Sequence, residues 1–201
     1  MIIRKIHFRK KQTAIYKKLA ILIILWLNAY NMNGQDTIQP VIYKPIGVFH
    51  TPYTTETGAP RQGILMPEGK GQIEIYHEYQ SALTTLSLFE YIIVLYHFNK
   101  VEKWEPTVNP PASSHEHNFG LFATRSPKRP NPIGFSIVKL EKIENGILYI
   151  SGVDAFDGTP VLDIKPYLPS IDCVKSIQNE LIEKKLGHHD ETFIKDSTFY
   201  K

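Results

Sequence analysis

The sequence predicts a mainly β protein: a small closed or bent β-barrel with short helices and a C-terminal helix. Three observations point there. Short strand-type runs recur along the chain, separated by loops rich in Gly and Pro. No strand–GxGxxG–helix unit is present, which removes a Rossmann-type nucleotide site. The 201 residues are 42% apolar, enough to bury one core and too short for two comfortable domains.

Residues 1–35 stand apart. They hold seven basic residues and no acidic one, while residues 36–201 hold sixteen basic and twenty acidic residues. The overall charge of +3 therefore belongs to the leader, and the remainder is mildly acidic. Lys17-Lys18 precedes the apolar run Leu19–Leu27, which fades out near Ala29-Tyr30. That run is short for a membrane span, which needs about 17–25 residues. It suits an export signal or an uncleaved signal anchor, with membrane contact through residues 19–29. A retained anchor would place residues 36–201 outside the cytoplasm. Met32 is a second candidate start, and it would leave no leader. Residues 36–42 read as a linker.

Tyr43–His50 reads as a β-rich run, and residues 51–71 as a long Gly/Pro loop. Gln72–Tyr79 alternates, with Ile73 and Ile75 on one face, as a half-buried strand does. Ser81–Phe89 suits a short helix with Ser81 as N-cap. Tyr91–Phe98 is a continuous apolar run, read as a central strand. Residues 104–118 form a Pro/Ser/His-rich loop. Ile133–Leu140 and Ile147–Val153 read as a hairpin around Glu144-Asn145-Gly146. Asp172–Leu186 predicts a C-terminal helix, with Val174, Ile177 and Leu181 on one face and Gly187 as its stop. The barrel thus occupies residues 43–172, and a helix and tail occupy 173–201.

Four segments are dense in residues that a core does not need: Pro60–Gly63, Phe98-Asn99, Ala123–Gly134 and Asp154–Tyr167. Pro127, Pro130 and Pro132 stiffen the third and remove backbone donors, so Arg125, Lys128 and Arg129 sit on an extended frame. The plain alternative is an exposed turn with solvated charges. Metal chemistry has weaker support. His115, His117, His188 and His189 lack a clear set of further ligands. The lone Cys173 rules out an internal disulfide and reads as a small buried residue.

PIGVFHTPY, PRQG, FATRSPKRPNPIG and DGTPVLDIKPYLP, in this order, resemble the TrmO family, also called TsaA-like. The resemblance spans about residues 43–172. It implies a homodimeric barrel that binds S-adenosyl-L-methionine and methylates the exocyclic amine of threonylcarbamoyl-adenosine at position 37 of a threonine tRNA. It assigns cofactor binding to Pro60, Arg61, Gln62, Phe98, Asn99, Arg125, Phe135, Asp157, Gly158, Thr159 and Pro160. Arg61 and Arg125 suit the donor's carboxylate or RNA phosphate, and Phe98 and Phe135 suit its adenine. Lys128 and Arg129 fit RNA phosphate contacts. No catalytic base is indicated. Departures are Glu90 and Tyr91 where the family has Ser-His, Asn99 where it has His, and Glu105 and Asn109 in a stretch that is usually basic. They weigh against the same RNA more than against the donor. The leader also conflicts with a cytoplasmic activity, and a small-molecule-binding barrel outside the cytoplasm is the alternative reading.

Overall fold

A computed structural model describes Lys18, residues 21–23, residues 40–109 and residues 119–186. The chain divides into two compact units, Met1–Ile42 and Tyr43–Lys201. In the first, Lys18 and residues 21–23 are helical. Most of the apolar run, and His115, His117, His188 and His189, lie outside the described residues. Among the described residues no helix is long and apolar enough to cross a membrane.

The second unit is a closed six-stranded antiparallel barrel. Its strands are β1 (Gly47–His50), β2 (Lys70–Ile75), β3 (Tyr91–His97), β6 (Ile133–Glu144), β7 (Ile147–Ser151) and β8 (Pro160–Pro166). They run in the order β1-β2-β7-β6-β3-β8, and β1 closes on β8. A two-stranded ladder, β4 (Thr107–Val108) with β5 (Phe119–Gly120), lies outside the barrel sheet. Alternation along the strands fills the barrel: Phe49, Ile73, Ile92, Val94, Val138, Leu148, Ile150 and Val161 are all essentially inaccessible. In a closed barrel no strand is central; β3 reads as an unbroken apolar run because Ile93, on its outward face, is nearly as buried as Ile92 and Val94 on the inward one. Asn145 and Gly146, both at positive φ, make the tight β6–β7 turn that their pairing predicts.

Several expectations need correction. Tyr43–His50 becomes a strand only from Gly47, because Pro45 lacks the N–H a ladder requires. The strand expected at Gln72–Tyr79 runs instead over Lys70–Ile75, and a 3-10 helix follows at His77–Leu83. Ser81 is inside that helix rather than capping one. The helix expected over Ser81–Phe89 breaks because Thr85 turns left-handed at φ 66°, leaving a second short turn, Leu86–Leu88. Leu83 and Leu86 each anchor their own turn against the core. The C-terminal helix starts at Ile177, not Asp172. Ser176 Oγ accepts from the Asn179 amide at 3.3 Å, which is the capping bond that sets the start. A separate one-turn helix, Pro169–Asp172, precedes it. Val174, Ile177 and Leu181 are exposed rather than buried, and so is Cys173. The segment 160–166, set apart for chemistry, is also the strand that closes the barrel.

Candidate active site

β1, β3 and β7 end, and β2, β6 and β8 begin, at the same rim of the barrel, as their antiparallel registers require. Three of the four chemistry-bearing segments, and residues 154–159 of the fourth, lie in the connections at this rim. Direct contacts join them. Gln62 Oε1 accepts a hydrogen bond from Arg125 Nη1. The Phe98 amide donates to the Pro132 carbonyl at 2.8 Å. Asn99 Nδ2 reaches the Gly158 carbonyl at 3.5 Å. Gly63 N donates to Asp154 Oδ2 at 3.0 Å.

Pro60–Gly63 holds its place through Gly63. A Cβ there would lie 1.8 Å from the Gly152 carbonyl oxygen, so only glycine lets this loop press against the end of β7. Gln62 Nε2 donates to the Arg61 carbonyl at 2.6 Å while its oxygen holds Arg125. Arg125 in turn lies 5.8 Å from the centre of the Phe135 ring. Arg61 Nη1 is buried and has no hydrogen-bond partner among the described residues.

The turn 154–160 is pinned from the other side. Asp157 N donates to the Tyr53 carbonyl at 2.8 Å and Gly158 N to the Phe49 carbonyl at 2.9 Å. Asp157 Oδ1 accepts from the Thr51 amide at 3.2 Å and lies 3.8 Å from His50 Nδ1. Gly158 has φ +74°, and a Cβ on it would meet open space. Thr159 is buried and continues into β8 with Pro160.

The strands separate the two phenylalanines. Phe98 packs on the core side, edge to face with Tyr96 at 5.2 Å. Phe135 points outward from β6, because Gly134 and Ser136 take the inward positions. Phe98 and Phe135 therefore stand on opposite faces of the barrel wall. Lys128 and Arg129 are also engaged. Lys128 Nζ pairs with Glu105 Oε1 at 2.8 Å, and Arg129 Nη1 donates to the Thr124 carbonyl at 2.9 Å. Glu105, one of the departures, is thus the partner of Lys128.

Asp154 opens the fourth chemistry-bearing segment, but nothing in the sequence assigns it a role of its own. Its Oδ1 accepts from Ser136 Oγ at 2.5 Å and lies 3.5 Å from the Tyr96 hydroxyl, which is itself 3.1 Å from Ser136 Oγ. The residue keeps some accessible area, but its carboxyl group is enclosed by the barrel end, and burial pushes it up to about 6. The Ser136, Gly63 and Tyr96 bonds pull the other way without overcoming that enclosure.

The rim can accept a ligand with an anionic group and several polar edges. The buried, unpartnered nitrogen of Arg61 is a donor awaiting an acceptor, since an unmet buried donor is costly. Arg125 reaches across to Gln62 and Asn99 to the Gly158 carbonyl, and Gly158 leaves backbone open to approach. A zwitterionic amino-acid moiety with a nucleoside fits this donor set.

Residues 48–173 match the model of the tRNA-methyltransferase O N-terminal domain. An S-adenosyl-L-methionine-binding protein of Archaeoglobus fulgidus is 41% identical over 140 residues, covering 70% of this chain and 99% of its own. The tRNA (adenine(37)-N6)-methyltransferase of Escherichia coli is 38% identical over 135 residues, 63% of this chain and 57% of its own. This chain therefore spans less than two thirds of that enzyme. A crystal structure of TrmO from Pseudomonas aeruginosa superposes with a TM-score of 0.57 at 36% identity, covering 70% of this chain and 62% of its own.

Proposed function

Because this chain belongs to the tRNA-methyltransferase O family, we propose that its S-adenosyl-L-methionine-dependent methyl transfer is directed at tRNA, at the N6 position of threonylcarbamoyl-adenosine 37. The observation that carries the cofactor assignment is the unpartnered, buried nitrogen of Arg61, the residue before Gln62, whose side chain holds Arg125. Arg61, Gln62 and Arg125 would hold the anionic end, and Asn99, Asp157 and Gly158 the polar edges of the nucleoside. The cofactor, when bound, supplies a methyl group on a positively charged sulfur. The chain's own task is to fix orientation and exclude water, and positioning alone supplies much of the acceleration in a bimolecular transfer. No residue at the rim is assigned as a proton acceptor.

The acceptor assignment draws on the E. coli relative and on Arg129 and Lys103, which line a groove beside the rim. We further propose a homodimer. Ile133, Phe135 and Ile137 form an exposed apolar row on the outside of β6, each 38–42% accessible, and Tyr91 of β3 is 39% accessible. A second copy would cover such a row, and sedimentation velocity of the full chain reads it. The basic, apolar leader favours a second reading, a barrel exported or anchored outside the cytoplasm that binds a small molecule without methylating tRNA.

The test is calorimetry with S-adenosylhomocysteine followed by methyl transfer to threonine tRNA. We expect saturable binding, and Arg61→Ala should weaken it about ten-fold or more through loss of a charge-assisted bond. Binding without any transfer to tRNA would leave the second reading. No binding at millimolar ligand would remove both the cofactor and the reaction.

A further inference from the structure

A groove of about 450 Å³ runs beside the rim, between the irregular segment Val101–Trp104 and the segment Arg129–Pro132. Its walls include Val101, Lys103, Trp104, Arg129, Pro130 and Pro132. Trp104 is 56% accessible, an uncommon exposure for an indole that has nothing to cover. The prolines opposite fix their own φ, so the wall facing the ring is stiff before any ligand arrives. The Phe98 amide bond to Pro132 ties this groove to the Phe98-Asn99 edge of the candidate site.

Charge is distributed unevenly around it. Residues 98–135 hold five basic and three acidic residues, while the rest of 43–172 holds six basic and eleven acidic. Arg129 is held in place by the Thr124 carbonyl, and its guanidinium stands 5.5 Å from the Phe122 ring centre. The carbonyl bonds from Arg129 use Nη1, and among the described residues no acceptor takes Nη2. Glu102 also lines the groove, and Glu105 holds Lys128, so electrostatics alone would give weak binding to a polyanion.

We propose that this groove seats an unpaired RNA nucleotide, with its base against Trp104 and its phosphate beside Arg129 and Lys103. Unpaired bases are read by stacking on aromatic and guanidinium planes, and a stacked base tolerates the modest net charge seen here. The proposal rests on the tRNA reading above and goes beyond it by placing nucleotides that flank the reacting one. A protein surface is the other class of occupant, but the lysine and arginine at the groove's two sides favour a phosphodiester.

The chain has two tryptophans, and Trp26 is the second. In the full chain carrying Trp26→Phe, Trp104 is then the only indole reporter. The protein is titrated with an unmodified anticodon stem-loop RNA and, in parallel, with inorganic polyphosphate, a polyanion without bases. The expected result is saturable quenching by RNA and none by polyphosphate. Trp104→Ala should weaken RNA binding about ten-fold without changing its salt slope, and Trp104→Phe should restore most of it. RNA binding that neither quenches Trp104 nor responds to Trp104→Ala overturns the groove and leaves the tRNA reading standing. Absence of RNA binding by every version at low salt overturns both. A change in oligomeric state with Trp104→Ala would identify a protein contact and overturn the nucleotide seat.

Discussion

Asp154 and Asp157 stand three residues apart on one turn, yet they belong to different regions of the rim. Asp154 faces the barrel end, where Ser136, Tyr96 and the Gly63 amide surround its carboxyl group. Asp157 faces an open groove shared with His50, Lys70, Gln72 and Glu141, and its side chain is 53% accessible. The same residue type thus does two kinds of work. Inside, the carboxylate is an anchor whose bonds run to three segments, and its charge is expensive. Outside, water screens the charge, so its value lies in what it offers a ligand.

The largest effect should come from Asp154. Its carboxyl is raised in the folded state, to about 6 against an ordinary 3.8. Between these two values the folded chain binds more protons than the unfolded chain. Stability from this group is therefore full below pH 4 and falls as pH rises toward and past 6. Asp154→Asn removes the titration while keeping an acceptor for Gly63 and a polar group for Ser136. Relative to the wild type, the Asn variant should gain stability from pH 4 to pH 7, by ~3 kcal/mol at most. Urea unfolding of both proteins at the two pH values gives the difference. Asp154→Ala instead strands the Gly63 amide, at a cost of about 1–3 kcal/mol, and should speed hydrogen exchange at Gly63. If Asp157→Asn shows the same pH trend as Asp154→Asn, the division into two regions collapses.

The same contrast shows how far the sequence could be read. The barrel was legible because its signals are local: the unbroken apolar run of Tyr91–Phe98, the Asn145-Gly146 turn, and the alternation along Ile133–Leu140. The motif segments were legible as a set, and antiparallel closure brought their ends to one rim. Asp154 fell inside a motif segment, but its role was not legible, because that role depends on Ser136, eighteen residues earlier in sequence, and on Gly63, ninety-one earlier. One clue existed. Ser136 sits at an inward position between Gly134 and Val138, and a buried hydroxyl there calls for a partner. The Lys128–Glu105 pair was equally hidden, since each residue alone reads as a solvated charge. The helix boundaries failed for a different reason. Thr85 and Ser176 break or start a helix through backbone geometry and one capping bond, which apolar spacing does not report.

Asp157 should give the next effect, and on binding rather than folding. Asp157→Ala removes the acceptor for the Thr51 amide, but that bond is exposed at 3.2 Å, so stability should change by no more than ~1 kcal/mol. If Asp157 meets a polar edge of the cofactor, S-adenosylhomocysteine affinity should fall about ten-fold, equivalent to ~1.4 kcal/mol. Calorimetry and thermal unfolding on the same preparation separate the two quantities. A large loss of stability with unchanged affinity would move Asp157 into the structural class and blur the distinction from Asp154.

The smallest effect should come from the pair beside Asp157. His50 Nε2 and Glu74 Oε2 are 2.9 Å apart, a good hydrogen-bond distance, but both side chains are about half exposed. Their attraction competes with water and with the entropy of holding two mobile side chains, and exposed pairs of this kind contribute about 0–1 kcal/mol. β1 and β2 are already joined by the register from Gly47–Ile75 to His50–Gln72, so the pair is not needed to set that ladder. Glu74→Gln keeps an acceptor for His50 and removes only the charge. Its stability at pH 7 should lie within about 0.5 kcal/mol of the wild type and should not respond to added salt. Urea midpoints in low and high salt make the comparison. A loss above ~1 kcal/mol that salt abolishes would show that charge on the outer side of this rim stabilises the fold as well, and that exposure at Asp157 does not imply indifference to folding.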